Sequence, residues 1–556
     1  MIIRCLLLLV LCSRALFAQT DIPPPDTAYI WRQATGGEVI GKPTVQAQSV
    51  VVALDGGTVK AFSATGNLLW TYLSRGRLSP YITRSREGTS YICRTNGNLI
   101  AVNRIGKELW RVHTGGALSG PIILGWDGRL FVPVAQKVLC YTASGNLLWT
   151  RELDDAISAG PWPEKGGILL ALKNADAVRI DPYGVVASRR LAAVPSVLVS
   201  GASMMALYEN GNIQIVNINP AIAPVDLPRL PAAPLAAAYR GGYLAVALAN
   251  GQVILLSGAD GKIQWTGDTH MRVYQERRGR APDAVAEVMY NERGIYVFNK
   301  NGATAFSTDG RRLWFTILEN SSGIPALDEE GVLYSGASDW ILYAWKLEYR
   351  SEKSKQSFYG STPDGFYGVG IYPPAPTSAV FDDSQTGREL ENMRREIMAG
   401  RVGDNERQWL VYLMNVAGSG SRPGMTPNDQ SGAQINHRVL ALQLLSRIGS
   451  CETIPWLVRL FRMDSEPLVK AAAAHAIGGI GVDPAGVAMK EFLAASSEDY
   501  DERVLVSVAA ATGILCRFAG PPLFSDGARI LVSLTNPDKP PSVQRQAQYE
   551  LNIIKK

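Results

Sequence analysis

Gly145-Asn146-Leu147-Leu148-Trp149 occurs earlier in the chain, letter for letter, as Gly66-Asn67-Leu68-Leu69-Trp70. Looser copies of the form G-x-x-x-W run from Gly106 to Trp110, Gly261 to Trp265 and Gly310 to Trp314. Trp70, Trp110 and Trp149 follow one another at an even spacing, and the gap to Trp265 is close to three such periods, leaving room for two degenerate copies. A period of about 40 residues filled with short apolar runs is the signature of propeller blades.

Each repeat opens on a proline-led run, crosses a turn and closes on the tryptophan. In the third copy these are Pro121 to Leu124, the turn Trp126-Asp127-Gly128, Arg129 to Val134 and Val138 to Thr142. Asp-Gly and Asn-Gly steps, such as 55–56, 96–97, 127–128 and 309–310, supply the positive-φ turns that tight hairpins need. Eight sets of three strands can be placed near 43–63, 80–103, 121–142, 161–181, 198–218, 240–257, 286–306 and 325–346. Seven outer strands follow them, near Trp70, Trp110, Trp149, Arg189, Asp226, Trp265 and Trp314.

The eighth outer strand stands at the start of the chain. Trp31-Arg32, Thr35-Gly36-Gly37 and Gly41-Lys42-Pro43 repeat the pattern of Trp110-Arg111, Thr114-Gly115-Gly116 and Gly120-Pro121, and Trp31 precedes Trp70 by one period. The sequence thus predicts an eight-bladed all-β ring over residues 26–348, closed by its own N-terminal strand, with no open edge left. Trp31, Trp70, Trp110, Trp149, Trp265 and Trp314, at one place per repeat, are expected to pack between blades.

The repeats resemble the pyrroloquinoline-quinone (PQQ) propeller family, whose units read D-G-x-x-x-A-x-x-x-x-T-G-x-x-x-W. Asp55-Gly56, Ala61, Thr65-Gly66 and Trp70 carry that pattern, as does Gly145 to Trp149. The resemblance implies either a quinoprotein dehydrogenase or an outer-membrane assembly factor of the BamB type. Quinoprotein alcohol dehydrogenases stack the quinone on a disulfide of adjacent cysteines beside a calcium ion. Past the N-terminal segment only Cys93, Cys140, Cys451 and Cys516 occur, none adjacent to another, and they read as free thiols. Histidines 113, 270, 437 and 475 have no metal-ligand spacing, and no nucleophile elbow or phosphate loop is present. No catalytic, metal or cofactor residue is therefore expected, and neither is an enzyme. The alternatives left standing are a PQQ-dependent dehydrogenase and a glycan- or peptidoglycan-binding propeller.

A chain of 556 residues exceeds one core. Arg4, the apolar run Cys5 to Cys12 and Ala15-Leu16-Phe17-Ala18 read as a cleaved signal peptide, residues 1–18, too short to span a bilayer. Leu11 is bulky for a lipidation site at Cys12. These features place the protein in the periplasm or at the outer membrane, with no transmembrane span after cleavage and with peripheral membrane association left open. The net charge of +5 and a pI of about 8.7 call for no nucleic-acid partner. The step from Trp265 to Trp314 overshoots the period and holds Arg272, Arg277, Arg278 and Arg280, a basic loop suited to an acidic partner.

Residues 349–385 form a Pro/Gly/Tyr-rich linker around Tyr372-Pro373-Pro374. Helical periodicity takes over in 386–556. Leu390 to Met398 and Gln408 to Val416 read as a first antiparallel pair, and Val439, Val469, Val504 and Val543 each lead one of four related helices. This part resembles HEAT-type helical repeats, which stack into protein-binding solenoids. The whole reads as an exported scaffold that binds other envelope proteins.

Overall fold

In the computed structural model, residues 29–347 and 383–555 are described, apart from 47, 126, 165–166, 201–202, 220, 272–285, 319–320, 403–404, 420–432, 484, 499 and 520. The first part is eight four-stranded antiparallel sheets around one axis. Blades 1 to 7 are built in chain order, over residues 39–73, 78–113, 123–152, 157–190, 197–227, 234–268 and 287–317. Blade 8 takes three strands from 326–346, and its outer strand is Tyr29–Ala34, paired with Ile341–Lys346. The N-terminal strand therefore closes the ring. Trp31 sits opposite Ala344, and the Thr35 N–H and hydroxyl both donate to the Trp340 carbonyl, at 2.8 and 2.7 Å. The same backbone bond recurs at the end of every outer strand, as in Ser74 to Gly57 and Thr114 to Gly97.

Burial explains which runs are apolar throughout and which alternate. The second strand of each blade is sandwiched by neighbouring blades on both faces, so Ser49–Leu54 and Gly167–Leu172 are buried along their whole length. Outer strands meet solvent on one side, and Leu68–Leu73 alternates. One boundary differs from the sequence reading: the inner strand of blade 6 starts at Pro234, not near 240, because Ala236 to Tyr239 pair with Leu244 to Ala247.

The tryptophans clasp successive blades. The indole N–H of Trp31 donates to Ala64 O, Trp70 to Arg104 O, Trp110 to Ala143 O, Trp149 to Pro182 O and Trp265 to Thr308 O, at 2.8 to 3.3 Å. Each ring also lies on the turn glycine of the next blade. Gly106 has φ +85, and a Cβ there would meet the Trp70 ring at 2.8 Å. Replacing Gly106 by alanine combines left-handed strain of about 1–2 kcal/mol with this clash. A loss of at least about 2 kcal/mol is expected in chemical denaturation, with little change for Gly56→Ala, where a Cβ meets nothing within 4 Å. Trp314, in the last position, is buried against Tyr296.

Among the described residues the second part holds nine α-helices: α1 (Asp383–Met398), α2 (Glu406–Gly418), α3 (Ile435–Ile448), α4 (Ile454–Met463), α5 (Pro467–Ile480), α6 (Val487–Ser497), α7 (Glu502–Phe518), α8 (Pro521–Leu534) and α9 (Pro541–Lys555). Helices α3, α5, α7 and α9 stack side by side in one layer, with α4, α6 and α8 forming the second. Small residues allow the close approach: Gly479 faces Ser446, and Gly478 faces Ala511. The first helix begins at Asp383, about two turns before the expected Leu390, and ends at Met398 as expected. Helices α1 and α2 both pack on α3, with Tyr412 reaching Glu389 and Thr386 across the first pair. Val469, Val504 and Val543 are fully buried, whereas Val439 is only half-buried. It lies two places past the equivalent position, which His437 holds as third residue of α3.

Candidate functional site

The two parts meet over blades 2 to 4, and one uninterrupted hydrophobic core runs from one into the other. It joins Phe131, Cys140, Leu148 and Trp149 of blade 3 and Leu170 of blade 4 to Leu410, Leu413 and Leu445 of the helical part. The turn after α1 lies on the blade 3 rim. Val402 N–H donates to Leu148 O at 3.1 Å, and Gly400 packs on Leu147. Arg447, at the end of α3, donates to Asn146 Oδ1 at 3.2 Å. Further along, Val482 beyond α5 meets Gly128, and Arg104 of blade 2 lies 4.4 Å over the Phe524 ring.

An ion cluster is sealed within this junction. The Asp127-Gly128 turn, with Asp127 Oδ1 accepting from Arg129 N, aims Arg129 away from its own strand. Its Nε lies 2.6 Å from Asp127, its Nη2 lies 2.5 Å from Glu406 at the start of α2, and its Nη1 donates to Pro182 O of blade 4 at 2.6 Å. The Tyr183 ring lies 5.2 Å from the guanidinium. Arg129 and Asp127 are each 3% exposed in their side chains and Glu406 is 0% exposed. A single cation thus joins two blades and the helical part.

Two carboxylates share this one guanidinium, and Glu406 Oε2 meets no donor among the described residues. Burial pushes the Glu406 carboxyl up to about 7, against the pull of Arg129, with Asp127 and Asp181 adding to the rise. A carboxyl with a higher pKa docked than free binds its proton more tightly when docked. Its contribution is therefore full below the ordinary range near 4.3 and is lost as pH rises through about 7. Docking is expected to be tighter at pH 5 than at pH 8, read as protection of the Val402 amide and of the start of α2 from hydrogen exchange, and Glu406→Gln should flatten that slope.

Of the residues singled out from sequence, Arg272, Arg277, Arg278 and Arg280 lie outside the described residues. The six tryptophans sit on the outer strands as given above. Neither Arg129 nor Glu406 carries a motif that marks it in the sequence. An arginine after an Asp-Gly turn is an ordinary strand start until a partner arrives from a distant part of the chain. Cys93, Cys140 and Cys516 are buried free thiols, while Cys451 is half-buried in a short 3-10 turn.

Among the described residues no three His, Cys, Asp or Glu side chains are arranged to hold a metal ion. A cleft at the junction, lined by Arg104, Ile105, Arg517, Phe524 and Ile554 among others, has a volume of about 120 Å³, against about 300–1,000 Å³ for small-molecule sites.

The fold and its rim clasps define an eight-bladed propeller of the PQQ-repeat class with a helical domain packed on one arc. The chain matches the family model described as outer membrane protein assembly factor BamB over residues 22–104 and 95–354, more than half its length, and belongs to that family. It is 26% identical over 106 residues to the outer membrane protein assembly factor BamB of Nitrosomonas eutropha (strain DSM 101675 / C91 / Nm57). That match takes in 19% of this chain and spans 26% of that relative's length. Among solved structures, BamB from Moraxella catarrhalis aligns at 13% identity and TM-score 0.43, covering 59% of this chain and 99% of that one. The computationally designed Ika8 protein aligns at 12% identity and TM-score 0.46, covering 56% and 98%. No helix among the described residues is long and apolar enough to cross a membrane.

Proposed function

We propose that this protein is an exported, non-enzymatic scaffold that binds other envelope proteins and serves outer-membrane protein assembly. The observation that carries this reading is the shared core of propeller and helical domain, clamped at Arg129, which makes two binding-type folds into one composite surface. Membership of the BamB family supports the setting. The two-layer stack of α3 to α9 supports a HEAT-like solenoid. Within this reading residues 1–18 are a signal peptide, the stretch from 349 to the start of α1 a linker, and the basic loop at 272–280 a contact for an acidic partner.

The test is affinity capture of the mature full chain from its native envelope, with PQQ and calcium titrated into the purified protein in parallel. The expected result is recovery of an outer-membrane assembly subunit without uptake of PQQ. Stoichiometric PQQ binding, with dye-linked oxidation of an alcohol or sugar, would overturn the reading.

A further inference from the structure

The two identical pentapeptides have opposite surroundings. In blade 3, Leu148 is 1% exposed because the turn between α1 and α2 covers it. In blade 1, Leu68 and Leu69 are 54% and 52% exposed. The backbone at the two places is the same. Trp70 pairs with Ala61, and Trp149 with Cys140, each beside a bulge that leaves the preceding leucine out of the ladder. Asn67 and Asn146 are held alike, Nδ2 donating at 3.1 Å to Thr65 Oγ1 and Ser144 Oγ respectively.

The free edge also adjoins the occupied one. The Trp70 indole donates to Arg104 O, and Arg104 packs on Phe524 of α8. Ile105, 45% exposed, lies with Ile553 and Ile554 of α9 on the cleft at the junction. The blade 1 rim is therefore the neighbour of the blade 2 rim on which the end of the helical stack packs. In the other G-x-x-x-W copies one of the two leucine positions is polar or charged: Glu108, Gln264 and Arg312.

We propose that the blade 1 rim at Asn67, Leu68 and Leu69 is a docking site for a helical-repeat partner protein, seated as α1 and α2 are seated on blade 3. The chain itself displays the recognition chemistry. A glycine-containing helix-end turn lies on the first leucine, a backbone N–H donates to the carbonyl of the second, and a guanidinium reaches the asparagine oxygen. Among the described residues the chain's own turn at 400–402 is engaged on blade 3, and the proposal commits to an occupant from another polypeptide. This surface rests on the scaffold reading, and assigns it one place and one class of partner.

The experiment places a benzophenone amino acid at position 69 of the full chain in its native envelope, irradiates, and maps the crosslinked peptides. The expected adduct lies in a helix-end turn of a different protein. Leu68→Asp with Leu69→Asp is expected to reduce co-capture of that protein at least tenfold while circular dichroism and the thermal transition of the ring stay unchanged. Adducts to lipid, to a strand segment or to a second copy of this chain would overturn the proposal. So would absence of any adduct, or undiminished capture by the doubly substituted chain; the scaffold reading then stands if partners are still captured and falls only if none are.

Discussion

Replacing Arg129 by alanine is expected to release the helical domain from the propeller while leaving both folded. The guanidinium is the only cation in contact with Asp127 and Glu406 among the described residues, and all three side chains are sealed from water. Removing one partner of a buried ion cluster leaves uncompensated charge, at a cost of about 3–5 kcal/mol. With a tenfold change for every ~1.4 kcal/mol, the open state should gain about two to three and a half orders of magnitude. Calorimetry should then separate a helical-domain transition from that of the ring. The combination Arg129→Met, Asp127→Asn and Glu406→Gln removes all the charge together and should restore most of the loss, since buried ion pairs replaced as a set are often neutral. An unchanged melting profile for Arg129→Ala would refute the assignment of this cluster as the clamp.

Deleting residues 29–34 is expected to be more damaging still. Blade 8 would lose its outer strand, leaving Ile341–Lys346 as a bare edge. The contacts of Trp31 with Phe62 and Tyr334 would go too. Trp31 is half-buried, so loss of the indole alone should cost less than the about 3–5 kcal/mol of a fully buried tryptophan, with about 1 kcal/mol for its hydrogen bond to Ala64 O. A ring opened at this seam should unfold at lower denaturant, with a broader transition, and aggregate through the bare strand. The single change Trp31→Ala keeps the ladder and should show only the first part of the loss. A deletion variant that melts cooperatively at the wild-type midpoint would show that the seam is not what holds the ring.

Ring closure was legible because it is written in repetition. Trp31-Arg32 and Thr35-Gly36-Gly37 copy the end of a later repeat, and a missing outer strand can be counted. The glycine at each turn was legible as a repeat mark, though its second task, admitting the indole of the preceding blade, needed three dimensions. The helical stack is legible as a period, but in its first copy the equivalent position is His437 and not Val439. The buried face of α3 begins near His437 and Arg438, and Arg438 is buried beside Asp464; a charged residue in a core position hides the pattern.

By itself the sequence determined the number of blades, the seam and the two-part build, because these depend on local periods of apolar residues and turns. It could not distinguish Leu69 from Leu148, whose immediate neighbours along the chain are the same. Nor could it join Arg129 to Glu406. Those outcomes depend on which rim the helical domain covers, and that depends on contacts between residues hundreds of positions apart, where burial and charge are settled by packing.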